Sequence, residues 1–202
     1  MAVHSDIRNR EVPGELLAAF VAIRDGERQA VKSRSAREVL GSSVIRVFAR
    51  DTKPVLLEQL LRVDMDALPL VTSEAAYREW FVQELDALAR VIKRCNPDRP
   101  QIYPGYKWGH ATKVLALYCR DIVLRTRYFT EKDVNRLLPW LYVPIDSMVI
   151  NKLRACGVRL PFRQIKDIDT ANKFFDTQEL LGTAAKQVGI ARIHFDDVWM
   201  DR

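Results

Sequence analysis

One stretch constrains the chain more than any other. From about Ser73 to Arg94, Tyr77, Trp80, Phe81, Leu85, Leu88, Val91 and Ile92 recur at three- and four-residue spacing. That spacing makes one face of a helix apolar along its whole length. A stripe so wide needs other elements around it, which predicts a central core helix rather than a surface one. Trp80 and Phe81 could also stack on a bound base, but their place on the stripe assigns them to the core. Asn96-Pro-Asp-Arg-Pro100 supplies a firm stop.

The remaining segments follow the same period. Leu40, Val44, Val47 and Phe48 repeat behind Ser35-Ala-Arg-Glu38, a capping-box pattern that predicts a helix start. Val44–Phe48 is the one segment also compatible with a strand. A helix is expected from about His110 to Arg125, with Val114, Leu115, Tyr118 and Ile122 on its inner face. Thr130-Glu-Lys-Asp133 predicts a short helix that Pro139 closes, and Val143-Pro-Ile-Asp146 opens one that Gly157 ends. Asp176-Thr-Gln-Glu179 predicts a further start, with the helix ending near Gly189, and Phe195-Asp-Asp-Val-Trp199 a short final turn. The expected class is all-α: residues 1–100 complete the fold and 101–202 carry the function, as one compact unit of 202 residues.

Composition removes several classes. No run of about 18 uncharged apolar residues is present, which excludes a transmembrane helix and a membrane partner. The N-terminus lacks an apolar stretch of signal-peptide type, so a cytoplasmic location is expected. Cys95, Cys119 and Cys156 lie too far apart for a zinc or iron–sulfur spacing and are expected as buried small hydrophobes. His4, His110 and His194 have no metal-like spacing, and no phosphate-loop or dinucleotide motif occurs, so no cofactor or metal is expected.

Charge is unevenly placed. Between Arg99 and Lys166 stand 13 lysines and arginines against 4 acids, a local +9 in a chain of net +6. Such asymmetry suits a polyanion, because each phosphate neutralised releases condensed counterions. Inside this region Tyr103-Pro-Gly-Tyr-Lys-Trp-Gly-His110 is a turn leading into a helix. Its glycines allow close backbone approach, and a helix N-terminus attracts anions. Gly105, Lys107, Trp108, Gly109 and His110 are therefore the candidate DNA-binding residues. Trp108 could fill the space left by an extruded nucleotide or anchor the turn internally.

Lys113 lies one turn into that helix, beside its apolar stripe, at the expected edge of a cleft. Asp146 begins another helix 33 residues on. A lysine amine attacks only when deprotonated, and a nearby carboxylate can support positive charge developing on a sugar. Plainer roles are open to both: Asp146 as an ordinary helix cap, Lys113 as a solvated or phosphate-contacting residue.

The segments Tyr103–Leu115, Val143–Val149 and Phe195–Trp199 together resemble the helix-hairpin-helix DNA glycosylase superfamily, and most closely its archaeal GO (8-oxoguanine) glycosylase branch. The resemblance covers roughly residues 100–202. It implies a two-lobed helical fold with a helix-hairpin-helix motif and a base-excising enzyme acting on double-stranded DNA as a monomer. Lys113 would form a Schiff base with the sugar, with associated lyase activity, and Asp146 would be its charged partner. The hairpin here is Pro-Gly-Tyr-Lys-Trp-Gly instead of Pro-Gly-Val-Gly, and the four-cysteine iron–sulfur loop of the endonuclease III branch is absent. Three alternatives remain at this point: a non-catalytic DNA-binding or recruitment protein on the same scaffold, a monofunctional glycosylase that uses water, and, more remotely, a regulatory or toxin-like helical protein whose basic face contacts RNA or an acidic partner. The base could be an oxidised purine or another modification, including those of viral genomes, which would make the protein a defence factor.

Overall fold

The computed structural model describes residues 14–41, 46–98 and 105–199, without the side chains of 197–199. Seven α-helices occur among them: α1 (Gly14–Gly41), α2 (Thr52–Leu61), α3 (Glu74–Cys95), α4 (Thr112–Arg125), α5 (Glu131–Leu137), α6 (Ser147–Ala155) and α7 (Ala171–Gln187). Short 3-10 turns lie at Met65–Leu70, Leu138–Trp140, Ile165–Asp167 and Arg192–Trp199, and a π-helical turn at Tyr106–Ala111 leads into α4. No strand is present among the described residues, so the all-α class holds. No described helix is long and apolar enough to cross a membrane.

Helix α3 is the central element that its stripe predicts. Ser73 caps it, its Oγ accepting from Ala76 N at 3.2 Å. Tyr77, Phe81, Leu85, Leu88 and Ile92 are fully buried, and Trp80 is nearly so, its Nε1 donating to Asp64 O at 3.0 Å. Each large apolar side chain taken out of water in this way contributes about 1.5–3 kcal/mol. Helix α3 packs on α2, α4 and the π turn, while α1 packs on α2 and α4. The single core cluster runs from Ala36 in α1 to Ile193 near the C-terminus, joining the two halves of the chain.

An aromatic cluster locks the C-terminal elements onto α3. Phe81 meets Tyr142 edge-on at 4.9 Å between ring centroids, Tyr142 meets Phe174 at 5.5 Å, and Trp108 meets Phe175 at 5.6 Å. Such pairs add about 0.5–1.5 kcal/mol each beyond area burial. They connect α3, the 141–143 segment, α7 and the π turn.

Several boundaries differ from the sequence expectations. Ser35–Glu38 lies inside α1, with Ser35 buried, so this capping-box pattern starts no helix. A four-residue signature also arises by chance within a helix, and here the preceding turns continue it. Asp176–Glu179 likewise lies within α7, whose cap is Thr170, accepting from Lys173 N at 3.3 Å. The helix expected from His110 begins at Tyr106 as a π turn. Of Val44–Phe48, residues 46 and 47 form a 3-10 turn, and Val44 lies outside the described residues, as do Tyr103 and Pro104. Only Cys119 is buried as expected: Cys95 is half-buried, and Cys156 is exposed where α6 gives way to the Gly157 turn. The starts at Thr130 and Asp146 and the left-handed Gly157 (φ 81°) agree with the sequence.

Candidate active site

The π turn ahead of α4 is organised by one carbonyl. Gly105 O accepts from Gly109 N at 2.9 Å, from His110 N at 3.0 Å and from His110 Nδ1 at 3.2 Å. A carbonyl can only accept, so Nδ1 carries the proton of the neutral ring. His110 is buried against the edge of Phe48, 5.8 Å between centroids. Burial pushes its imidazole below the ordinary histidine value and the neighbouring Lys113 charge adds to this, while the Gly105 bond opposes it.

The two glycines of the turn are required by the chain itself. A Cβ at Gly105 would stand 2.2 Å from the carbonyl oxygen of Lys166, and one at Gly109 would stand 2.1 Å from that of Ile165. The close approach expected of them therefore occurs, but to the 164–168 turn rather than to a ligand. That turn is itself pinned: Asp167 Oδ2 accepts from Arg163 N at 3.0 Å and from Gln164 N at 2.9 Å.

One turn into the continuous helix, Lys113 directs its side chain inward. The residue is 8% exposed, more enclosed than the cleft-edge position expected from its place beside the stripe. Its Nζ lies 3.4 Å from Asp146 Oδ2. The other oxygen of Asp146 caps α6, accepting from Met148 N and Val149 N, both at 2.9 Å. Capping and pairing thus use different oxygens of one carboxylate. The cap fixes the side chain, and Oδ2 is left to face the amine.

Asp146 is carried by an extended segment with no strand beside it. Its place is taken by two side chains from the C-terminal elements. Gln178, fully buried on α7, accepts from Val143 N at 2.9 Å and donates to Val143 O at 2.8 Å. Arg192 donates through Nε to Leu141 O at 3.0 Å and through Nη2 to Trp140 O at 2.8 Å and Glu74 Oε1 at 2.7 Å, with Tyr142 under its guanidinium. Every backbone polar group so enclosed needs a partner, and these two residues supply the ladder. The sequence reading missed both, because a buried glutamine and a buried arginine look like solvated helix residues until their neighbours are known.

The structure brings Lys113 and Asp146 together and commits the candidate DNA-binding residues to contacts within the chain. Lys107 forms an ion pair with Asp86 on α3 and lies over the Trp108 ring, 4.8 Å from its centroid. Trp108 packs on Phe174 and Phe175, the internal-anchor role. His110 is bonded to Gly105, and Gly105 and Gly109 face Lys166 and Ile165. Asp196, in the C-terminal 3-10 turn, pairs with Arg120, about two turns along α4 from Lys113. A cavity of about 410 Å³ beside the 141–143 segment is lined by Arg78, Tyr142, Phe175 and Gln178, and neither Lys113 nor Asp146 reaches its wall. Among the described residues no cluster of histidine, cysteine and carboxylate side chains could hold a metal ion. Comparison of the chain with protein-family models, with curated proteins and with solved structures gives no match.

Proposed function

We propose that the protein is a DNA glycosylase that extrudes a damaged or modified base and excises it with Lys113 as nucleophile. The observation that carries this reading is the Lys113–Asp146 pair, 3.4 Å apart, with the carboxylate held by its second oxygen at the start of α6. The resemblance of Tyr103–Leu115 and Val143–Val149 to the helix-hairpin-helix glycosylases supports the same assignment. So does the basic balance of residues 99–166.

In this mechanism the target nucleotide leaves the stack at a cost of a few kcal/mol. Lys113 gives up its ammonium proton to the departing base, and the freed Nζ lone pair forms a bond to C1′ as the glycosidic bond breaks and its bonding pair leaves with that base. Asp146 supports the positive charge that develops on the sugar. Loss of the amine proton and opening of the sugar ring leave a Schiff base, from which β-elimination breaks the strand. Because Lys113 is enclosed, the extruded sugar must displace the side chains covering it before attack.

Borohydride trapping tests this on duplexes that carry an abasic site, an oxidised purine or another modified base. Reduction of the Schiff base fixes a covalent adduct with the wild type, and Lys113→Gln abolishes it. An adduct that persists in Lys113→Gln assigns the chemistry to another amine. Base release without any adduct points to water as the nucleophile. Mass spectrometry of the released bases identifies the substrate, whether a repair lesion or a viral modification. The enclosure of Lys113 and its neutralisation by Asp146 favour a second reading, a DNA-binding module in which the pair is only structural; in that case duplexes are bound and every base is retained.

A further inference from the structure

Lys107 is the lysine of the turn itself, yet it is paired with Asp86 and lies over the Trp108 ring. The positive charge that remains beside the turn comes from elsewhere. Between the caps Asp146 and Asp167, the stretch from Ser147 to Lys166 contains Lys152, Arg154, Arg159, Arg163 and Lys166, and no aspartate or glutamate. Arg159 and Arg163 are exposed and Lys166 is half-buried. Among the described residues, no carboxylate lies within ion-pair distance of these three.

The loop that carries them is built as a rigid piece. Arg154 Nη2 donates to Phe162 O at 2.8 Å, and Phe162 is buried, which closes the loop at its base. Asp167 holds the amides of Arg163 and Gln164, and the Ile165 and Lys166 carbonyls sit directly against Gly109 and Gly105. Gly109 is one helical turn before Lys113. The loop therefore seats Lys166 directly against the turn that precedes Lys113, with Arg163 three residues before it and Arg159 further along the same loop, and its backbone has little ordering left to lose on binding.

We propose that Arg159, Arg163 and Lys166 form the phosphate-binding surface of the protein, gripping the backbone of duplex DNA beside the Tyr106–Ala111 turn, and that Lys107 takes no part in it. This rests on the DNA reading above but not on its chemistry. The glycines of the turn are then understood as the seat of the cationic loop rather than as phosphate contacts.

The test is the salt dependence of binding to an unmodified duplex, followed by fluorescence anisotropy. For B-DNA the slope of log K against log salt is about −0.9 per phosphate neutralised. Arg159→Gln/Arg163→Gln/Lys166→Gln is expected to make the slope shallower by about 2.7, while Lys107→Gln leaves it unchanged. Circular dichroism melts of both variants establish that they fold. A triple variant with the wild-type slope overturns the proposal, as does a change of slope in Lys107→Gln. A shift seen with duplex RNA and not with DNA also overturns it, by assigning the surface to RNA. Base excision is scored separately on modified duplexes: absence of any base release with the slope effect intact removes the catalytic reading and leaves this surface standing.

Discussion

Replacing Gly109 by alanine sets two effects against each other. Local helix propensity favours alanine over glycine by roughly 0.8–1.0 kcal/mol. Tertiary packing opposes it: the new Cβ would lie 2.1 Å from Ile165 O and 2.9 Å from the carbonyl carbon, whereas ordinary contact begins at 3.4 Å. The 164–168 turn would have to retreat by about 1.3 Å, the difference between 3.4 and 2.1 Å, or the helix would have to tilt. The obstacle is main chain, held by Asp167 through two amides, so no side chain can rotate away. Overpacking of this kind costs about 1–3 kcal/mol, and a rigid obstacle belongs at the upper end. The net expectation is a loss of about 2 kcal/mol, or a fall in Tm of about 4–8 °C for a chain of this size. Gly26→Ala provides the internal control. Gly26 sits mid-helix in α1 with nothing within 4 Å of its Cβ position, so the same substitution should raise stability by about 0.5–1 kcal/mol. Urea denaturation of the two variants and the wild type gives both differences. A Gly109→Ala variant as stable as the wild type would refute the packing argument. So would a Gly26→Ala variant that is less stable.

Asp146→Asn keeps an oxygen for the Met148 and Val149 amides but removes the charge, so folding should be normal while base release falls by roughly 10²–10³-fold. Asp146→Ala should also lose about 1 kcal/mol of stability with the cap; if Asp146→Asn excises at the wild-type rate, the aspartate has no catalytic role. Gln178→Leu leaves the buried Val143 amide and carbonyl without partners, at about 1–3 kcal/mol for each group. A chemical-denaturation midpoint unchanged by that substitution would show the glutamine ladder to be dispensable. His110 gives the fold a pH dependence. Its folded value lies below the unfolded value of 6.5, so the unfolded chain binds the proton first. Its contribution to stability is therefore present above 6.5 and drains away as pH falls below it. His110→Gln should flatten the stability profile between about pH 7 and pH 5, and an unaltered profile would remove the histidine from the account.

The elements read correctly from sequence are those whose signals are local. The stripe of α3 depends only on spacing, and Ser73, Thr130 and Asp146 cap through amides two or three residues away. The same locality produced the false starts at Ser35 and Asp176. A serine or an aspartate followed three residues on by glutamate reads the same within a helix as at its end, and only the preceding turns decide between them.

Lys107 illustrates the other limit. In sequence it is a cation on a turn; its pairing with Asp86 depends on how the turn crosses α3, which no short window contains. Gly105 and Gly109 announce a close approach, because a missing Cβ is a local fact, but not which backbone approaches. Lys113 and Asp146 stand as residue types in the sequence, 33 positions apart. Their 3.4 Å separation comes from the seating of the 141–146 segment by Gln178 and Arg192, the division of labour between the two aspartate oxygens, and the packing of the C-terminal aromatics on α3. Sequence determines periodicity, caps and conformational freedom, since these act over a few residues. Tertiary structure decides which charges are neutralised and which remain free, because that depends on groups brought together from distant parts of the chain.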